Sequence, residues 1–229
     1  MIMLLDPSLG KMEDSALSIP DQRNYDKTWG LAYQIACETL AKTDFEQQCR
    51  NSEATCETIN SRKVACLNFL NRDYLITLPD RTTFKDSAEE VPLRDKLLIM
   101  HYFLHAGGTP LTNTPMAFKE LKEGANYFPT YALRAIKPLV DFFGKKPEML
   151  LEVAPTLGGT KADYGDAAVT IPAFPRVPIT LVLWKGDEEF TPEANILFDN
   201  TISDYLSTED LIVLCQVISW SLVKLLPRS

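Results

Sequence analysis

Apolar residues run almost without interruption through Ile179-Thr180-Leu181-Val182-Leu183-Trp184. A strand with one wet face alternates, so a run that is apolar at nearly every position predicts a strand in the middle of a covered sheet. Shorter runs at 167–172 and 195–198 predict its neighbours. Further upstream, the runs 56–59, 63–69 and 74–78 are separated by the turn residues Asn60-Ser61 and Asn71-Arg72-Asp73, which predicts an antiparallel meander.

Helical spacing governs most of the rest. From about Asp26, Trp29, Ala32, Ile35, Ala36 and Leu40 recur at helical intervals, and a helical turn over 44–50 is expected to continue that helix. Segments 93–106, 131–143 and 147–157 each run into glycine, at Gly107-Gly108, Gly144 and Gly158-Gly159. Glycine in that place predicts left-handed helix ends rather than phosphate-cradling loops. Pro138 predicts a kink or a break inside the second of these helices. The last helix opens at Ser207-Thr208-Glu209-Asp210, where Ser207 can cap free amides and the acids suit the positive helix end. Its apolar residues wrap most of the circumference, which implies deep burial or a homodimer contact through this helix. The expected architecture is α+β: a single domain over 25–229, with a mostly antiparallel sheet (the meander plus the C-terminal strands) packed against several helices, after an irregular lead-in at 1–24.

Composition narrows the partners. The chain has 229 residues and a net charge of −8, and no basic cluster larger than Lys145-Lys146, so nucleic acid is not expected as a partner. The stretch 211–226 is short and interrupted by Gln216, Ser219, Ser221 and Lys224, and the first five residues lack the form of a signal peptide. A cytoplasmic protein with no membrane partner is expected. Five cysteines at irregular spacing, with no C-x-x-C, predict reduced and mostly structural thiols. No cofactor is encoded by a recognisable motif.

Two groups of residues invite chemistry. The first follows the long apolar strand: Asp187, Glu188 and Glu189, with Trp184, Asn195 and Asp199, outline an acidic cleft at a sheet end that would bind a ligand or perform acid–base work. The same acids would equally suit a solvated hairpin tip. The second group holds the only histidines, His101 and His105, four apart on one helical face, a spacing that can share a metal. The intervening Tyr102-Phe103-Leu104 excludes the H-E-x-x-H pattern, and Arg94 on the same side also fits an ordinary polar face. Phe103 likewise breaks the D-x-H-x-x-G pattern that ligates corrinoids.

Several longer patterns carry a resemblance. They are His101-Tyr102-Phe103-Leu104, Phe118-Lys119-Glu120-Leu121, Asp163-Tyr164-Gly165-Asp166-Ala167-Ala168, Pro175-Arg176-Val177-Pro178, Leu183-Trp184-Lys185-Gly186-Asp187-Glu188-Glu189-Phe190 and Leu206-Ser207-Thr208-Glu209-Asp210-Leu211. With these the chain resembles an uncharacterised prokaryotic family known only as domain of unknown function 3786. Members of that family belong mostly to anaerobes, and some are fused to an iron–sulfur domain of corrinoid methyl-transfer systems. The resemblance implies an accessory role near corrinoid or iron–sulfur C1 metabolism, with an unknown protein or small-molecule partner. It brings no catalytic residues. A non-enzymatic binding or accessory domain is therefore expected, with an enzyme working through the acidic cleft, or a structural homodimer, as the alternatives.

Overall fold

The computed structural model describes residues 26–77 and 81–227. The lead-in expected at 1–24, and Leu78 at the end of the third predicted strand, lie outside them. The meander is present as β1 (Thr55–Ile59), β2 (Arg62–Phe69), β3 (Arg72–Thr77) and a fourth strand, β4 (Arg81–Phe84), joined in that order as an antiparallel sheet. Its first turn is Asn60-Ser61, both at positive φ; its second is Leu70-Asn71, one residue earlier than the polar triplet suggested. Ala65, Leu67, Phe69, Tyr74 and Ile76 alternate onto the buried face.

That face packs against three helices: α1 (Asp26–Leu40), α2 (Phe45–Ser52) and α3 (Leu93–His105). Helix α2 does not continue α1. Asp44 accepts from Gln47 N at 3.1 Å and starts a new helix. In α1 the buried positions are Ala36, Cys37 and Leu40, whereas Ile35 from the expected stripe is exposed.

The second sheet has the order β5-β9-β8-β7-β6, all antiparallel, built from β5 (Pro115–Ala117), β6 (Thr160–Ala162), β7 (Ala167–Phe174), β8 (Val177–Trp184) and β9 (Glu193–Asp199). The long apolar run is the central strand β8. Val177, Ile179, Leu181 and Leu183 lie fully buried under the helices, while Pro178 and Thr180 on the opposite face are half-buried. The two sheets meet where Leu70 N donates to Ala173 O at 3.1 Å and where Phe69, Phe174 and Tyr102 stack, with centroids 4.7 and 4.2 Å apart. One buried cluster runs through both sheets, so the α+β expectation holds.

The α-helix is interrupted ahead of Pro138: α4 (Gly124–Tyr131) and α5 (Lys137–Phe143) are joined by a π turn, Ala132–Ile136. Pro138 has no N–H and its ring crowds the carbonyl four residues back. The extra residue of the wider turn relieves that crowding, Lys137 N reaches Ala132 O, and Ser219 Oγ donates to Ala135 O at 2.8 Å. Helix α6 (Glu148–Val153) and a 3-10 turn, Ala154–Leu157, follow.

Of the expected glycine stops, Gly158 is left-handed at a helix end, with φ 75, and Gly108, with φ 77, is left-handed two residues beyond the C-cap of α3. Helix α3 ends at Ala106 with φ −53, and Gly144 keeps right-handed backbone. Gly144 answers a close approach instead: a Cβ there would lie 2.6 Å from Pro192 Cβ and 2.5 Å from Val140 O. The final helix α7 (Thr208–Lys224) opens with the expected cap and exposes no residue between Asp210 and Val223. Its apolar circumference is consumed inside the chain itself. No helix among the described residues is long and apolar enough to cross a membrane.

Candidate functional site

Helices α1, α3, α4 and α7 enclose a groove of about 410 Å³, within the range of small-molecule sites. Trp29, Leu97, Leu98, Ile212 and Val213 supply apolar walls; Arg94, His101, Tyr127, Arg134, Glu209 and Asp210 supply the polar ones. The spacing of α3 explains part of this, because Arg94 and His101 are seven residues apart and share a face. The π turn carries Arg134 to the rim.

At the centre, His101 Nδ1 lies 2.7 Å from Asp210 Oδ1. The other carboxylate oxygen accepts from Ser207 Oγ at 2.6 Å and Ser207 N at 3.3 Å, while Asp210 N donates back to Ser207 Oγ. The capping box of α7 therefore also holds a histidine from α3. Burial alone would raise the Asp210 carboxyl, but the His101 bond and charge together with the Ser207 bonds hold it below the ordinary value. An ionised carboxylate only accepts, so it places the His101 proton on Nδ1 and leaves Nε2 for another partner.

Arg94 has the second distinctive feature. Its side chain is 10% exposed, and the guanidinium grips Asp95 Oδ1 through Nη2 at 2.7 Å and Nε at 2.8 Å. Nη1 is buried with no partner among the described residues. The nearby acceptors are already engaged: Asp210 by His101 and Ser207, and Glu209 by the Tyr127 hydroxyl at 3.3 Å. The groove's unmet hydrogen-bonding capacity is on the donor side.

The second histidine stands beside the first, with ring centroids 5.6 Å apart. Burial, and then the neighbouring His101, lower the His105 imidazole below its ordinary value. No cluster of three or more His, Cys, Asp or Glu residues that could hold a metal occurs among the described residues. The oriented histidine is His101, and its carboxylate comes from α7, not from the position occupied by Phe103.

The six residues of the acidic stretch do not line one hollow. Trp184 is 42% exposed at the end of β8, and Glu188 and Glu189 are exposed in the following loop. Asp187 turns onto its own loop: Oδ1 accepts from Glu189 N and Phe190 N, each at 2.8 Å. The Phe190 bond and then the Glu189 bond lower its carboxyl. Asn195 accepts from the adjacent Ile196 N at 2.9 Å. Asp199 lies at the other end of β9, where Thr112, Asn113 and Thr201 donate to it at 2.6–3.3 Å. Although burial opposes it, the Thr201 and Thr112 bonds keep that carboxyl low. Asp199 ties the strand to the loop before β5.

A two-sheet α+β domain with a helix-lined polar groove is the class that the fold and site define. Within that class, the chain belongs to the family Domain of unknown function (DUF3786), which matches residues 44–220. No curated protein and no solved structure matches the chain.

Proposed function

We propose that this domain is a non-catalytic binding module for a small, largely apolar molecule ending in a carboxylate or phosphate, held in the groove beside His101. The observation that carries the reading is Arg94, which lines a groove whose own acids are already engaged and keeps one buried guanidinium nitrogen without an acceptor among the described residues. A buried donor left unpaired costs roughly 1–3 kcal/mol, so an anion that supplies the missing acceptor is favoured. His101, whose Nε2 is left clear by the Asp210 bond at Nδ1, lines the same groove. The apolar walls take the body of the ligand.

Benzoate, hexanoate and phenyl phosphate are suitable probes, with isothermal calorimetry as the readout. At least one is expected to bind saturably, and His101→Gln is expected to weaken it about tenfold, equivalent to about 1.4 kcal/mol. Saturable binding that is indifferent to His101→Gln, or no binding by any probe, contradicts the reading.

A second reading is favoured by the 2.7 Å His101–Asp210 bond. A carboxylate-oriented imidazole is the arrangement of a general base, and His101 would then take a proton from a bound substrate. An accessory role beside corrinoid or iron–sulfur C1 metabolism rests on the family resemblance. A groove of this size suits a small metabolite rather than a macrocycle, so in that setting the domain would bind a metabolite or a protein partner.

A further inference from the structure

Cys49 lies in the last turn of α2 and Cys56 is the second residue of β1. Between them the chain reverses through Glu53, at φ 56, and Ala54 N donates to Cys49 O at 2.9 Å. The reversal places both cysteines on the wall of one hollow, close enough for each to act on the other's ionisation. Strand register explains why the third cysteine of the region stays apart. Cys56 pairs with Ala65, whose side chain is on the buried face; Cys66 pairs with Thr55, one position along, and so projects to the opposite face. Cys49 is 2% exposed and Cys56 is open to solvent, and both line a hollow of about 440 Å³ together with Glu46, Arg50 and Lys63. Burial, and then contact with Cys56, push the Cys49 thiol up to about 12. A buried thiol beside an exposed one is the arrangement of a resolving and an attacking cysteine.

We propose that Cys49 and Cys56 form a dithiol–disulfide exchange site that reacts with low-molecular-weight disulfides. The exposed Cys56 thiolate attacks one sulfur of the small disulfide, forming a mixed disulfide and expelling one small thiolate, which takes up a proton. Cys49 then gives its proton to solvent and attacks Cys56 Sγ, expelling the second small thiol. The protein pair loses two electrons and two protons, and the small disulfide is reduced to two thiols. Once Cys56 carries the mixed disulfide, it bears no thiolate charge to oppose ionisation of Cys49. Lys63 and Arg50, on the wall of the same hollow, suit a disulfide that carries carboxylates.

The site stands apart from the His101 groove and does not depend on the function proposed for it. The test uses the full chain incubated with mixtures of reduced and oxidised glutathione, followed by alkylation, trypsin and mass spectrometry. Cleavage after Arg50 separates the two cysteines, so a Cys49–Cys56 bond appears as peptide 43–50 linked to peptide 51–62. The expected result is that linked pair, with two alkylatable thiols lost, reversed by excess reduced glutathione. Cys49→Ala is expected to stop at a glutathione adduct on Cys56. Cys56→Ser, at an exposed position that leaves folding intact, is expected to leave Cys49 unmodified. An adduct on Cys56 of the unaltered chain that never closes, a link to Cys66 instead, or no reaction at all would each overturn the proposal.

Discussion

Asp187 and Asp210 are both acids whose carboxyls sit below the ordinary value, yet they do different things. Asp187 is fully exposed and is held down by two amides of its own loop, so its bonds serve only the hairpin tip. Asp210 is 11% exposed and joins two helices that meet only in the folded chain, by accepting from Ser207 at the head of α7 and from His101 on α3. The tip has more carboxylates; the groove has fewer, but Asp210 is buried, bonded and on the wall of the same groove as Arg94, whose Nη1 has no acceptor among the described residues. Density of acids in sequence marks solvation. Burial of a few acids with long-range partners marks construction, and construction is what a binding site needs.

The contrast can be broken most severely at Arg94. Arg94→Leu leaves Asp95 buried without its partner, and a loss of about 3 kcal/mol is expected in urea unfolding. Asp210→Ala comes next. It removes the His101 bond and half of the capping box, at an expected cost of about 2 kcal/mol. Because the folded carboxyl lies below the ordinary 3.8, the stability linked to it is complete above that pH and is lost as pH falls through the folded value. Unfolding curves of Asp210→Ala should therefore show a shallower acid limb than those of the unaltered chain.

Gly144→Ala tests the tip as a structural element, since its Cβ would collide with Pro192. A loss of about 1–2 kcal/mol is expected, by the cost of overpacking, with ligand binding in the groove unchanged. His105→Gln has a smaller, pH-dependent effect. The His105 imidazole is lowered from 6.5 by burial and by His101, so its linked stability is present above that pH and declines as pH falls below it. The variant should flatten stability just below pH 6.5. Asp187→Ala is expected to change the midpoint least of all, and equal losses for Asp187→Ala and Asp210→Ala would end the comparison.

Elements with long signals are legible in the sequence. Strand β8 is plain because its apolar run leaves no room for another reading, and α7 because Ser207 and Asp210 stand three apart ahead of an apolar stretch. Strands β4, β5 and β6, three or four residues each, are too short for periodicity to show. Gly144 follows a helical stretch as a left-handed stop would, but it is glycine because a distant hairpin passes close by, and no local pattern records that. The acidic stretch is conspicuous for the same reason that its acids lie open to water. The His101–Asp210 pair spans 109 positions, so either residue alone reads as an ordinary helix position. The one local hint is the seven-residue interval between Arg94 and His101.

The three tryptophans of the chain make the central claim directly measurable. Trp29 lines the groove, Trp184 stands at the acidic tip, and Trp220 lies within α7. In an ¹⁵N-labelled sample titrated with benzoate, hexanoate or phenyl phosphate, the indole N–H signals report the two regions separately. The Trp29 signal is expected to move saturably with at least one probe while Trp184 stays in place. Movement of Trp184 with Trp29 unmoved would contradict a binding groove beside His101, and would return the site to the acidic tip.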